Sequence, residues 1–451
     1  MKNLTLHTIA ETCGGMLLGG EGRENFEITA VTTDSRTVTP GCLFAAIPGE
    51  KTDGHRYIAS AFEKGAHCVL AERAPETCAG PVILVSSTAK ALQPLAGFYR
   101  AGFDIPFIGV TGSVGKTTAK NMLAAVLAER FTVHKTPGNF NNELGVPLTL
   151  FGLREEHTAA VIEMGISDFG EMRRLTAMVR PDFAVFTRIG EAHLEFLHDL
   201  PGVLRAKAEI IEGMGPDGVV FANGDDPVLR TLSCEQRVVF FGIGAGCDVR
   251  AEGISLRADS STVCNVCCGD KRFPVTIPAY GEHMVYAALA GAAVGLSLGM
   301  TEEEISRGVA ADVPELGRGR VIETGGLTLI DDCYNANPTS VMSAIRSLSA
   351  RPGRRVCILG DMLELGERAS DMHRQCGAYA VENGAALVLS CGELSRNTAD
   401  GAGEKGVHFD SREALIKALP ALLSPGDTVL VKASHSMHFE EIVRAIEDTF
   451  S

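Results

Sequence analysis

Between Ile105 and Gly242 apolar residues run without alternation in short blocks: PFIGVTG, AAVIEMG, DFAVFTRIG, DGVVFANGDD and RVVFFGIG. Each block has strand length and ends in glycine or a polar residue, and helical stretches separate several of them. Apolar runs with no polar face imply strands covered on both sides, hence a mostly parallel sheet flanked by helices. From Met1 to Gly102, runs such as Cys42 to Ile47 and Cys68 to Ala71 alternate with helical stretches such as Arg56 to Lys64 and predict a small α/β domain. A more alternating stretch, Asp248 to Ile277, precedes an uncharged, Ala- and Gly-rich run from Met284 to Met300. That run falls short of the ~18 apolar residues of a membrane span and reads as a buried helix. Thr301 and Glu304 then have the spacing of a capping box that starts the next helix. PELGRG, residues 314–319, reads as a linker. Beyond it LTLIDD, RRVCILGD, ALVLSCG and DTVLVKAS alternate with helical segments and predict a third α/β domain, Rossmann-like in architecture although no GxGxxG accompanies it. The expected division is 1–102, 103–314 and 315–451.

The length of 451 residues agrees with two to four domains, at roughly 100–200 residues each. With 45% hydrophobic and 22% charged residues the chain is globular rather than disordered. A net charge of −15 argues against a sequence-independent nucleic-acid binder, so an anionic ligand must be held by a local site. Thirteen cysteines scattered through a long chain suit reduced thiols in a cytosol better than a disulfide framework. Cys264, Cys267 and Cys268 have no second Cys or His pair at zinc spacing nearby. The N-terminal MKNLTLHTIAETCGG lacks the basic and apolar regions of a signal peptide.

The candidate chemistry centres on GVTGSVGKTTAK, Gly109 to Lys120. An apolar run leads into a turn, Thr111, Gly112, Ser113, Val114 and Gly115. Lys116 then opens a helix whose apolar positions are Met122, Leu123, Val126 and Leu127. Glycines let the backbone N–H groups turn inward, the helix N-terminus adds positive potential, and Lys116 reaches terminal phosphates. The hydroxyls of Thr117 and Thr118 lie beside them, that of Thr117 placed for Mg²⁺. The strict pattern has Gly where this chain has Val110, but strand, loop and helix follow in the required order. Glu163, at the end of AAVIEM, is placed to hold the loop's ion directly or through water; a lone Glu there is otherwise a solvated turn residue. His193, in GEAHLEF, is a second candidate ligand or a structural histidine.

The ordered set TGSVGKTT, PGNFNNELGVPLTL, EMG, IGEAHLEF, KAEI, NGDD, GEHMVYAALA, DDCYNANPTS and GDMLELGE resembles the ATP-dependent Mur ligases of bacterial peptidoglycan synthesis, over essentially the whole chain. Within that family GNFNNELG and YNANPTS resemble the member that adds D-alanyl-D-alanine to UDP-N-acetylmuramoyl-tripeptide. The resemblance implies a UDP-binding first domain, a central phosphate-loop domain and a closing third domain, acting as a monomer on ATP with two Mg²⁺ ions. It implies that Lys116 and Thr117 serve the γ-phosphate and first ion with Glu163. His193 and a carbamylated Lys207 would hold the second ion. It further places Ser35, Arg36 and the GEKTDGH segment on the UDP side, and Asn139 and Asn142 on the sugar-peptide side. His283 would lie at the adenine, Arg318 and Asp332 at the phosphate and ribose, and Tyr334, Asn335 and Asn337 near the nucleotide and incoming dipeptide. The chain departs from the family at Met284 and Ala287, where Asn is frequent, and at Ala433 and His435, where Gly and Arg are expected. Rival readings are a related ligase with another amine acceptor, such as a folylpolyglutamate-type enzyme, a phosphate-loop ATPase switch, and a non-catalytic UDP-sugar scaffold.

Overall fold

The computed structural model describes residues 1–49, 52–75, 79–257, 261–279, 281–313 and 317–451, with the side chains of Glu282 and His283 left out. Three sheets occupy consecutive stretches of the chain. The central one has nine strands. Six of them, Val133–Lys135, Ala159–Glu163, Phe107–Thr111, Phe183–Phe186, Val219–Asn223 and Arg237–Gly242, lie side by side in parallel. The four inner ones, from Ala159–Glu163 to Val219–Asn223, are buried almost throughout, as unalternating sequence requires. The alternating stretch becomes Val249–Leu256, Thr262–Cys268 and Lys271–Ile277. The first of these pairs in parallel with its neighbour and the other two continue the same sheet antiparallel, one face buried and one open. On Thr262–Cys268 the adjacent Cys267 and Cys268 project to opposite faces, so the strand does not present its three cysteines together.

The Ala-rich run is the helix Glu282–Ser297, packed against Lys116–Leu127 from the phosphate-loop motif. Gly308 on the following helix, Glu302–Ala310, meets the backbone of Val126 so closely that a Cβ would stand 2.4 Å from its Cα. Thr301 and Glu304 form the expected capping box. The first sheet, of five strands, is parallel except for Met16–Leu18. Its domain docks through Thr88–Arg100: the Tyr99 hydroxyl donates to Leu153 O at 2.9 Å and Arg100 Nε to Val179 O at 2.6 Å. The third sheet has six strands, parallel except for Arg320–Thr324 at one edge. One buried cluster runs from Leu4 through Leu175 to Leu430, so all three units share a continuous core. Of the expected linker PELGRG, Pro314, Glu315 and Leu316 lie outside the described residues.

Candidate active site

The phosphate loop is shaped by contacts it cannot make with larger residues. Gly112 has φ +145°, and a Cβ there would stand 2.1 Å from Thr187 Oγ1. Gly115, at φ +82°, caps the helix Lys116–Leu127 in a left-handed conformation. The strand Phe183–Phe186 and the residues after it hold the loop down. Ser113 N donates to Arg188 O at 2.7 Å, Ser113 Oγ to Gly190 O at 3.0 Å, and Thr187 Oγ1 to Val114 O at 2.6 Å. Lys116, half-buried, bends its ammonium back to Gly112 O at 2.9 Å. Burial pushes its pKa down, Glu163 opposes that, and Arg318 adds to it.

Glu163 ends the strand beside the loop and is 1% exposed. It is no solvated turn residue: Thr117 Oγ1 donates to its Oε2 at 2.9 Å and Asn141 Nδ2 to its Oε1 at 2.7 Å. Two hard oxygen donors, a hydroxyl and a carboxylate, thus meet beside the loop lysine. This donor chemistry suits a Mg²⁺ ion.

These groups open into a cavity of about 690 Å³ between the central and third domains. Ser113, Val114, Gly115, Lys116, Thr117, Thr118 and Glu163 line one wall; Arg318, Asp332, Tyr334, Asn335 and Asn337 line the other. Residues separated by two hundred positions therefore face one space, as the sequence reading expects. The Arg318 guanidinium lies over the Tyr334 ring, 3.8 Å from its centroid, and the His435 ring stacks on Tyr334 at 5.1 Å. Arg318, Tyr334 and His435 also line a smaller cavity of about 230 Å³ with Gly138 and Asn139.

The remaining expected residues are placed differently. Thr111 is fully buried, with Gly112 beneath the loop. Asn142 Oδ1 accepts from Leu144 N and Gly145 N at 3.2 and 2.8 Å, at the start of Gly145–Phe151. Asn337, although at the cavity, caps Pro338–Ser349 reciprocally with Ser340. His193, at φ +55°, faces the third domain, its Nδ1 2.5 Å from Glu364 Oε2 but off the hydrogen-bond axis; His193 holds the Glu364 carboxyl below its usual range. Lys207 is 1% exposed, and its side chain makes no hydrogen bond or ion pair with the described residues. Burial, and then repulsion from Lys116, push its pKa well down against an opposing pull from Glu171. Among the described residues no group of three His, Cys, Asp or Glu is placed to hold a metal ion.

In the first domain Arg36 pairs with Asp34 through Nε and Nη2, at 2.9 and 2.7 Å, and the Ser35 carbonyl accepts Lys64 Nζ. Neither residue reaches the main cavity. Of GEKTDGH, Glu50 and Lys51 lie outside the described residues, as does the side chain of His283. Three polar residues at the site escape the sequence reading. Asn141 stands between the two asparagines chosen from its motif. Lys120 is a charge in the buried part of its helix, and no part of it is exposed. Lys432, ending the apolar strand Asp427–Lys432, donates to Asp332 Oδ2 at 2.6 Å and to Asn335 O at 2.9 Å. Its signal was a lysine closing an apolar run.

Family models match along the chain in order: the Mur ligase family catalytic domain over 27–100, the Mur ligase middle domain over 110–295, and the Mur ligase glutamate ligase domain over 317–435. The chain belongs to the Mur ligase family. Within that family its full-length relatives carry one particular name. The UDP-N-acetylmuramoyl-tripeptide--D-alanyl-D-alanine ligase of Bacillus subtilis is 38% identical over 98% of each chain. A crystal structure of MurF from Acinetobacter baumannii superposes with a TM-score of 0.91, at 30% identity and 99% coverage of both chains. MurF from Thermotoga maritima in complex with ADP gives a TM-score of 0.84, at 31% identity, over 93% of this chain and 97% of that one.

Proposed function

We propose that this chain is an ATP-dependent ligase that joins D-alanyl-D-alanine to UDP-N-acetylmuramoyl-tripeptide in peptidoglycan synthesis. One observation carries the reading. The phosphate loop, the Thr117–Glu163 pair and the Arg318, Asp332, Tyr334 strip of the third domain face a single cavity large enough for a nucleotide. In this reading the terminal carboxylate of the tripeptide attacks the γ-phosphorus of ATP and the bond to the bridging oxygen breaks. An acyl phosphate and ADP result. The dipeptide amine then attacks the acyl carbon, loses a proton, and expels phosphate that carries away one oxygen of the original carboxylate. Lys116 and the inward N–H groups of the loop neutralise charge that develops on the γ-phosphoryl group, and positioning supplies much of the rest. Thr117 and Glu163 would hold one Mg²⁺, which supplies charge neutralisation between phosphate oxygens. The third domain, within which Lys432 holds Asp332 and Asn335 at the cavity, covers that space and limits hydrolysis of the intermediate.

Lys207 is the buried amine that a carbamate would convert into an anion beside Lys116, turning repulsion into attraction. Ser35 and Arg36 belong to the UDP end, and Asn139 to the sugar-peptide side of the smaller cavity. The division at 102 and 314, a monomer and a cytosolic location complete the reading; the described cysteines are all free thiols, and no described helix is long and apolar enough to cross a membrane. The test is to combine ATP, Mg²⁺ and both peptide substrates and weigh the products. One ADP and one phosphate should appear per UDP-linked pentapeptide; ATP turnover with no new amide bond would favour a nucleotide switch instead.

A further inference from the structure

Lys120 lies one helical turn beyond Lys116, and its ammonium is bound to a neighbouring stretch of backbone. It donates to Thr136 O at 3.0 Å and to Gly138 O at 3.3 Å, and stands 3.9 Å from Glu163 Oε2. A fully buried ammonium is costly unless its charge and protons are matched. Here a carboxylate and two main-chain carbonyls provide the match. The same short segment is tied to Glu163 twice more: Glu163 N donates to Thr136 Oγ1 at 2.9 Å, and Asn141 Nδ2 binds Glu163 Oε1. Asn141 O in turn accepts Gly165 N at 2.8 Å, just beyond that strand. The segment's next residues, Gly138 and Asn139, line the smaller cavity, while Thr117, Asn141 and Glu163 line the larger.

We propose that Lys120 is a positioning residue that couples the two cavities: it locks the 136–142 segment to Glu163, so that loading the phosphate site fixes the wall on which the sugar-peptide substrate rests. This deepens the ligase reading and rests on it. A ligand at Thr117 and Glu163 restrains the carboxylate; the carboxylate restrains Lys120 and Asn141; both restrain the backbone from Thr136 to Asn142. Coupling of this kind needs a continuous, packed path between sites, and each link here is a direct contact.

Two measurements test it. In the unaltered protein, amide hydrogen exchange over 136–145 should slow several-fold when a non-hydrolysable ATP analogue binds with Mg²⁺. Calorimetry first establishes whether the analogue binds, and failure at that stage counts against the nucleotide site itself. Binding with unchanged exchange in this segment overturns the proposal alone. Lys120→Met keeps the apolar stem but removes the ammonium. It should raise KM for UDP-MurNAc-tripeptide at least tenfold while KM for ATP stays within about threefold, and Asn141→Ala added to it should produce less than the product of the two single effects. A rise confined to ATP, or an equal rise for every substrate, overturns the proposal. Should Lys120→Met fail to fold, the exchange measurement on the unaltered protein decides.

Discussion

At the level of single residues, the phosphate loop tolerates little. Gly112→Ala places a methyl against Thr187 Oγ1 in a backbone region closed to L side chains. We expect it to abolish nucleotide binding measured by calorimetry while far-ultraviolet dichroism stays native. Lys207 offers a different test, of the carbamate proposed for its buried amine. Lys207→Ala should lose activity, and short carboxylates such as acetate or formate should restore part of it; full activity in the variant, or no rescue, would remove the carbamate role. The loop lysine, Thr117 and Glu163 were legible because their chemistry lies in local order, a strand, a glycine turn and a helix. Lys120, Asn141 and Lys432 were hidden because their partners are main-chain atoms or residues remote in sequence, and only folding brings Lys432 to Asp332 across a hundred positions. His193 shows the converse: sequence order marked it, while the Glu364 carboxylate that folding brings to its ring could not be read from that order.

At the level of elements, the unalternating runs became parallel strands and the alternating stretch became antiparallel strands, since burial on two faces or one is visible in composition. Three strands that escaped, Val133–Lys135, Arg320–Thr324 and Gly406–Phe409, lie at sheet edges and are partly exposed, so no apolar block marks them. One element carries a pH signature. His373, fully buried in Ala369–Glu382, accepts Met362 N through Nε2 at 2.9 Å, and its Nδ1 faces Ala369 O at 2.7 Å, tying the GDMLELGE turn to that helix. Burial lowers its pKa below the ordinary 6.5, against opposing pulls from Ala369 O and Asp361. The unfolded chain therefore binds the proton more readily, and the neutral ring's contribution is complete above pH 6.5 and lost as pH falls below it. Denaturant titrations at descending pH should show stability falling through that window, and His373→Gln should make the fall shallower. Equal slopes for the two proteins would assign the acid sensitivity elsewhere.

For the whole molecule, the domain order was readable because each unit has its own periodicity, and the family resemblance already set Arg318 and Asp332 of the third domain at the nucleotide, whereas the contacts that bring that domain to the loop were not readable. Specific contacts bring it there. A Cβ on Gly190 would stand 2.6 Å from Thr339 Oγ1, Glu191 pairs with Arg368 at 3.6 Å, and His193 meets Glu364. They face the phosphate loop toward Asp332 and Tyr334 across one cavity, and from that juxtaposition comes the claim that ATP is spent on activating a carboxylate. The claim is tested most directly by supplying UDP-MurNAc-tripeptide whose terminal carboxylate carries heavy oxygen, together with ATP, Mg²⁺ and D-Ala-D-Ala. The released phosphate should contain one labelled oxygen per amide bond formed. Phosphate free of label would mean that water, not the carboxylate, attacks ATP, and would contradict the account.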